Sequence, residues 1–299
     1  MTAHNRLARQ SWSSRAGATG RGSQKRCSAS EDSIHDLANG ENFMSIFDLT
    51  GKTAVVVGGT SGIGYALALG LARAGADVVA SSRGAEQVAA AAAALRALGR
   101  RTLSIPADVT DHGSLLALRD GVLAEFGKVD ILINCAGITR RAPTLDFPET
   151  DWNRILETNL TGTLRACQVF GEPMLERGYG RIVNIASLST FVAFYEVAAY
   201  AASKAAVGSL TRSLAVEWSR RGVLVNAIAP GVFRTDLNAS LLDSTGRGQE
   251  ILLRTPIGRF GRTEELVGAA IYLASDAASF VAGEILTVDG GYLASGVNQ

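Results

Sequence analysis

Thr53-Ala54-Val55-Val56-Val57-Gly58-Gly59-Thr60-Ser61-Gly62-Ile63-Gly64-Tyr65-Ala66-Leu67-Ala68-Leu69 decides the fold. Thr53–Val57 is a short apolar, β-branched run, which reads as a strand buried on both faces. Ile63–Ala74 is rich in Ala and Leu and stops at Gly75, as a helix does. Between them lies a G-x-x-x-G-x-G turn rather than G-x-G-x-x-G. Glycines let the backbone turn tightly and let a phosphate approach the free N–H groups at the helix start. Such a turn is either structural punctuation or a phosphate cradle. Its place between a first strand and a first helix favours a dinucleotide site at Gly58, Thr60, Ser61, Gly62, Ile63 and Gly64.

The same alternation continues along the chain. Strands are predicted at Val78–Ala80, Leu103–Ile105, Ile131–Asn134, Ile182–Ile185, Leu224–Ile228 and Ile285–Val288. Helices are predicted from the alanine-rich run ending at Leu98, from Ser114–Phe126, Trp152–Arg177, from near Tyr200 to Arg220, and over residues 263–274. The stretch 235–260 is irregular. Apolar strands separated by helices imply an α/β domain with a seven-stranded parallel sheet covered on both faces. Ligands bind such sheets beyond the carboxyl ends of the strands, so chemistry is sought in the residues after each strand.

Composition narrows the function classes. With 299 residues, 47% of them hydrophobic, the chain suits one domain of about 250 residues. A formal net charge of +1 gives no electrostatic case for nucleic acid or an anionic membrane. Cys27, Cys135 and Cys167 form no CxxC pair, so neither a zinc site nor a disulfide framework is indicated, and a reduced cytosolic setting follows. His4 and His35 fall in the N-terminal stretch, and His112 is expected to cap a helix; a histidine-based hydrolase or zinc enzyme is poorly supported. No apolar run approaches the roughly 20 residues of a membrane span. Residues 1–43 carry Arg and Lys among Ser and Gly with no acid before Glu31, a composition that predicts a disordered tail. An over-called start, a targeting peptide and a weak nucleic-acid tail are the three readings. Met44, standing just before the domain 44–299, favours the first.

The strand ends carry distinct chemistry. After the second strand come Ser82 and Arg83, with no acid between Val78 and Ala85. An acid there would hold a ribose 2′-hydroxyl, whereas a guanidinium suits a 2′-phosphate, so NADP is favoured over NAD unless Arg83 is a solvated surface residue. Asp108 and Val109 follow the third strand; Asn134, Ala136 and Gly137 follow the fourth and leave room for a flat ring. Arg140 and Arg141 come next. They either bind a substrate carboxylate or bridge to Asp146 or Glu149 on the surface. Ser187 follows the fifth strand; Pro230, Gly231, Val232, Arg234 and Thr235 follow the sixth.

Tyr200 and Lys204 are four apart, on one face of their helix. A free tyrosine has a pKa of about 10. A cation held nearby is expected to lower it and so make an acid–base catalyst without histidine. Alone the pair is a weak signal, since many helices carry Tyr and Lys at this spacing.

Taken in order, Gly58/Gly62/Gly64, Asp108, Asn134-x-Ala136-Gly137, Asn159, Ser187, Tyr200-x-x-x-Lys204 and Pro230-Gly231 resemble the short-chain dehydrogenase/reductase family. The resemblance runs from about Phe47 to the C-terminus and implies a Rossmann-type doubly wound domain. It implies that Tyr200 is the acid–base, that Lys204 holds the nicotinamide ribose and tunes Tyr200, and that Ser187 orients the reacting oxygen. Asn159 would carry a water linking Lys204 to solvent. Asp108 would face the adenine, Asn134, Ala136 and Gly137 would shape the cofactor pocket, and Pro230–Thr235 would close over the nicotinamide. Val57 stands where the family usually has Thr.

Phe47-Asp48-Leu49-x-Gly51-Lys52, Gly137-Ile138-x-Arg140-Arg141 and Pro230–Thr235 look like the gluconate 5-dehydrogenases and 2-deoxygluconate 3-dehydrogenases. That resemblance implies a sugar-acid substrate held by Arg140, Arg141 and Arg234; the wider family resemblance implies a homotetramer, and the cysteine and histidine usage points to a cytoplasmic protein without a metal. A 3-oxoacyl carrier-protein reductase and a non-catalytic cofactor sensor are the alternatives.

Overall fold

The structure is a computed structural model; it describes residues 43–235 and 239–297. The tail expected over residues 1–43, with Cys27, His4 and His35, lies outside the described residues but for Phe43. The sheet is built from β1 (Thr53–Val57), β2 (Asp77–Ser81), β3 (Ile131–Asn134), β4 (Gly180–Ile185), β5 (Val223–Pro230) and β6 (Ile285–Val288). Every pair is parallel, in the order β2-β1-β3-β4-β5-β6. The helices are α1 (Gly62–Arg73), α2 (Ala85–Ala97), α3 (His112–Phe126), α4 (Glu149–Leu156), α5 (Gly162–Arg177), α6 (Ala198–Trp218), α7 (Ala239–Leu242), α8 (Gly246–Leu253) and α9 (Val267–Ala274).

Strand alternation divides the interior into two cores. Ala54 and Val56 pack with Leu67 and Leu71 of α1, Leu95 of α2 and Leu273 of α9 on one face. Val55 and Val57 pack with Leu115 and Leu118 of α3 and Phe170 of α5 on the other. Both faces of β1 are therefore covered, which is why four of its five residues are apolar and all five are buried. From β1 the chain runs outward to β2 and then returns to form β3 on the other side of β1. That reversal opens a crevice at the carboxyl ends of β1 and β3.

The sheet has six strands, not the seven expected. Residues 103–105 form no ladder. One backbone bond, Ala107 N–H to Ser82 O at 2.9 Å, fastens the run to the end of β2. Side chains do the rest: Ser81 Oγ donates to Ile105 O at 2.7 Å and Asp77 Oδ1 accepts from Arg101 N–H at 3.0 Å. The long helix expected over Trp152–Arg177 is also interrupted, by a π-helical turn at Glu157–Thr161. His112 is not the cap of α3; the Asp111 carboxylate takes that role, accepting from Gly113 N–H at 2.8 Å.

Candidate active site

The glycine turn after β1 is fixed by close approach. A side chain at Gly58, where φ is +79°, would place a Cβ 2.5 Å from Ala136 N. One at Gly64 would lie 2.0 Å from Gly58 O. Only bare backbone fits at either place. Ser81 O receives the N–H groups of Gly58 and Gly59, at 2.8 and 3.1 Å. Thr60 Oγ1 donates to Ser82 Oγ at 2.7 Å. These bonds tie the turn to the end of β2 although Val57 supplies no hydroxyl. Ser61 occupies the N-cap of α1 without a side-chain capping bond, so the first-turn amides open onto the crevice uncapped.

The crevice is a cleft of about 810 Å³. Gly58, Ser61, Gly62, Ile63, Gly64, Ser82, Arg83, Asp108, Val109, Ala136, Gly137, Ser187, Tyr200, Lys204, Pro230, Gly231, Val232 and Thr235 all line it. Uncapped helix amides, glycines that a Cβ would obstruct, and an arginine beyond β2 with no acid beside it fit a phosphorylated dinucleotide. Thr235 Cγ2 would lie 3.7 Å from a Cβ at Gly62, which brings the segment after β5 over the glycine turn.

At the other end, α6 carries Tyr200 and Lys204 into the cleft. Lys204 is buried and its Nζ donates to Ile185 O, the last residue of β4, at 2.7 Å. Nζ stands 5.8 Å from the centre of the Tyr200 ring. Burial lowers the Lys204 pKa to about 8. Burial also pushes the Tyr200 phenol above its ordinary value, against the pull of the Ser187 hydroxyl, and Cys135 adds to the rise. The expected lowering of Tyr200 by Lys204 is therefore not what this arrangement gives: desolvation wins, and the ammonium is engaged by a carbonyl. Cys135, between β3 and the cleft wall, is itself pushed up to about 11 by burial. Ser187 turns its backbone out of β4, its Oγ accepting from Ser189 N–H at 3.1 Å.

Five expected site residues do not line the cleft. Thr60 holds Ser82, as described. Asn134 turns inward: its Nδ2 donates to Asn184 Oδ1 at 2.9 Å and lies 3.2 Å from Cys167 Sγ, while Asn184 donates to Thr211 of α6 at 2.9 Å. It fastens β3, β4, α5 and α6 behind the cleft. Asn159, fully buried in the π-helical turn, receives Ile138 N–H at 2.8 Å and donates to Ile138 O at 2.9 Å and to Ser203 Oγ at 3.0 Å. Ser203 in turn donates to Tyr200 O at 2.7 Å. Asn159 thus joins the loop after β3 to the first turn of α6. Arg140 pairs with Asp151. Arg234 pairs with Asp243, with contacts down to 2.7 Å.

Arg141 does line the cleft, but it pairs with Glu196 at 2.7 Å rather than with Asp146 or Glu149. Ser203, Phe194, Leu242, Arg247 and Ile251 were not anticipated; the last four line the cleft. Only the two small residues between Tyr200 and Ser203 hinted at close packing there. Among the described residues no group of three His, Cys, Asp or Glu is placed to hold a metal.

A parallel doubly wound sheet, a glycine-cradled crevice and a Ser–Tyr–Lys set at its head define a nucleotide-dependent oxidoreductase. Comparison with known proteins agrees. The adh_short_C2 family model, described as enoyl-(acyl carrier protein) reductase, matches residues 57–293. The chain belongs to the short-chain dehydrogenase/reductase family. It is 42% identical over 253 residues to gluconate 5-dehydrogenase of Gluconobacter oxydans strain 621H, covering 84% of this chain and 98% of that protein. It is 44% identical over 246 residues to D-threitol dehydrogenase of Mycolicibacterium smegmatis, covering 82% and 94%. A crystal structure of a gluconate 5-dehydrogenase from Burkholderia cenocepacia J2315, in complex with NADP and tartrate, superposes with a TM-score of 0.83 at 40% identity. It covers 85% of this chain and all of that one.

Proposed function

We propose that the protein is an NADP-dependent dehydrogenase that interconverts a secondary alcohol and a ketone on a sugar acid. One observation carries the reading: Ser187, Tyr200 and Lys204 line the same cleft as the glycine turn and Arg83. The NADP and tartrate bound by the Burkholderia relative, and the gluconate activity named for two relatives, support it. NADP would be held by the α1 amides and by Arg83, with Asp108 and Val109 beside the adenine. When bound, it supplies or accepts the hydride.

The chain's own residues manage the proton and the position. Tyr200 exchanges its phenolic proton with the reacting oxygen. Ser187 donates to that oxygen and fixes its place. Lys204, protonated at neutral pH with a pKa of about 8, orients the nicotinamide ribose. A phenol raised by burial stays protonated at pH 7, so it is set to give a proton in reduction. Oxidation needs the phenolate and gains rate as pH rises toward the Tyr200 pKa. Asn159 supports this indirectly, by holding Ser203 against the carbonyl of Tyr200.

The description of the family model makes carrier-protein thioesters the second reading. A panel of gluconate, deoxygluconates, ketogluconates and acetoacetyl thioester, run with NADP and NAD, separates the two. Turnover of a sugar acid with NADP is expected; thioester turnover without any sugar-acid turnover would replace the proposal. A cytoplasmic homotetramer is part of the same proposal, supported by the exposed Val216 of α6 and Phe280 near the C-terminus, 83% and 104% exposed. A solution mass near that of the 31.2 kDa chain alone would refute the assembly.

A further inference from the structure

The cleft wall holds four cations, Arg83, Arg141, Lys204 and Arg247, and one acid, Asp108. Arg83 and Asp108 belong to the nucleotide end, and Lys204 donates to Ile185 O. The substrate end is left with Arg141 and Arg247. These two are held by adjacent residues. Arg141 Nε meets Glu196 Oε2 at 2.7 Å, and Arg247 Nη1 donates to Tyr195 O at 3.3 Å. Glu196 is fixed in the left-handed region, at φ +65°, and its carbonyl accepts Ala142 N–H at 3.0 Å. A non-glycine residue there is uncommon, and here it aims one carboxylate at Arg141. Tyr200 follows four residues later, in the first turn of α6. Both guanidinium groups are thus brought to the rim beside the acid–base residue.

Their charges differ in effect. The Glu196 carboxylate neutralises Arg141, whereas among the described residues Arg247 meets a carbonyl dipole and no carboxylate. An incoming anion is attracted by net charge, so the two arginines are not equivalent. Arg247 also sits in the first turn of α8, which Thr245 caps by accepting Gly248 N–H at 3.0 Å, so its backbone position is set. The geometry points to Arg247 as the specificity-determining residue that takes the substrate carboxylate, with Arg141 and Glu196 as a neutral pair that positions the Tyr195–Glu196 segment beneath it. Arg140 and Arg234, the other expected carboxylate partners, are already paired outside the cleft wall. The inference rests on the sugar-acid reading and names how that acid is recognised.

The test uses the full chain as wild type, Arg247→Met and Arg247→Lys. Kinetics are measured with NADP on gluconate and on an uncharged polyol that the wild type oxidises, D-threitol first. Arg247→Met should raise KM for gluconate by about tenfold or more, the scale of a lost hydrogen bond to a charged group. Its kcat should fall by less than about threefold, because the carboxylate is remote from the reacting carbon. KM for the polyol should move by less than about threefold, and Arg247→Lys should recover part of the gluconate loss by restoring the charge. A gluconate KM within about twofold of wild type in Arg247→Met, or an equal rise for the polyol, overturns the inference. Wild-type turnover of the polyol with none on any sugar acid overturns instead the reading on which it rests. Should the Met variant melt early, the Lys variant alone decides, since it keeps the stem and the charge but loses the fork.

Discussion

The two ends of the cleft are built by different means. At the nucleotide end the walls are backbone: glycines packed against neighbouring main chain at Gly58 and Gly64, and amides at the start of α1. At the substrate end the walls are side chains, some on helices, as Tyr200 and Lys204 on α6 and Arg247 on α8, and some on loops held by ion pairs such as Arg141–Glu196. A site made of backbone tolerates almost no change in residue type. A site made of exposed ion pairs tolerates a great deal, because water can replace much of what each pair provides. The fold thus keeps its hydride chemistry fixed while leaving its choice of alcohol open to change.

The contrast can be broken by substitution. The largest effect should come from Gly64→Ala. Its Cβ would meet Gly58 O at 2.0 Å, and the backbone must move, at a cost of about 1–3 kcal/mol. Thermal denaturation should report the loss of stability, and titration with NADPH a loss of affinity of about a hundredfold or more. Unchanged binding would mean the cradle is not where the phosphates sit. A middle effect is expected for Arg83→Ala. Affinity for NADP should fall roughly 10–100-fold while affinity for NAD changes little, since only the former carries a 2′-phosphate. Equal losses for both would remove Arg83 from cofactor choice. The smallest effect belongs to Arg234→Ala. Arg234 and Asp243 are 51% and 47% exposed, and KM for the preferred acid should stay within about threefold. A rise of about a hundredfold would make Arg234 a substrate ligand despite its pairing with Asp243.

The same contrast explains how much was legible in the sequence. Strands and helices announce themselves through local periodicity, and the glycine turn through its position between two of them. Residues 103–105 look like a strand because periodicity reports burial, while a ladder depends on hydrogen bonds that here come from Ser81 and Asp77 side chains. The π-helical turn at Asn159 leaves the apolar pattern intact and so leaves no trace in it. Asn134 could have been oriented correctly: a count of two from Leu132 puts it on the α5 face, beside Cys167, rather than in the cleft. The arginine pairs are the least local feature. Each acid that pairs with them lies in another segment, Glu196 being 55 residues from Arg141, and no local pattern encodes that meeting. The Tyr200 shift runs against the local signal for a similar reason. The spacing of Tyr and Lys is local, but the desolvation that outweighs it is a property of the whole cleft.

The central claim is that Tyr200 moves the proton. The direct measurement compares Tyr200→Phe with wild type in turnover and in NADPH binding. Loss of the phenol should lower kcat by about 10²–10⁴-fold, with cofactor affinity within about threefold, because the glycine turn and Arg83 are untouched. Wild-type turnover in that variant would contradict the account.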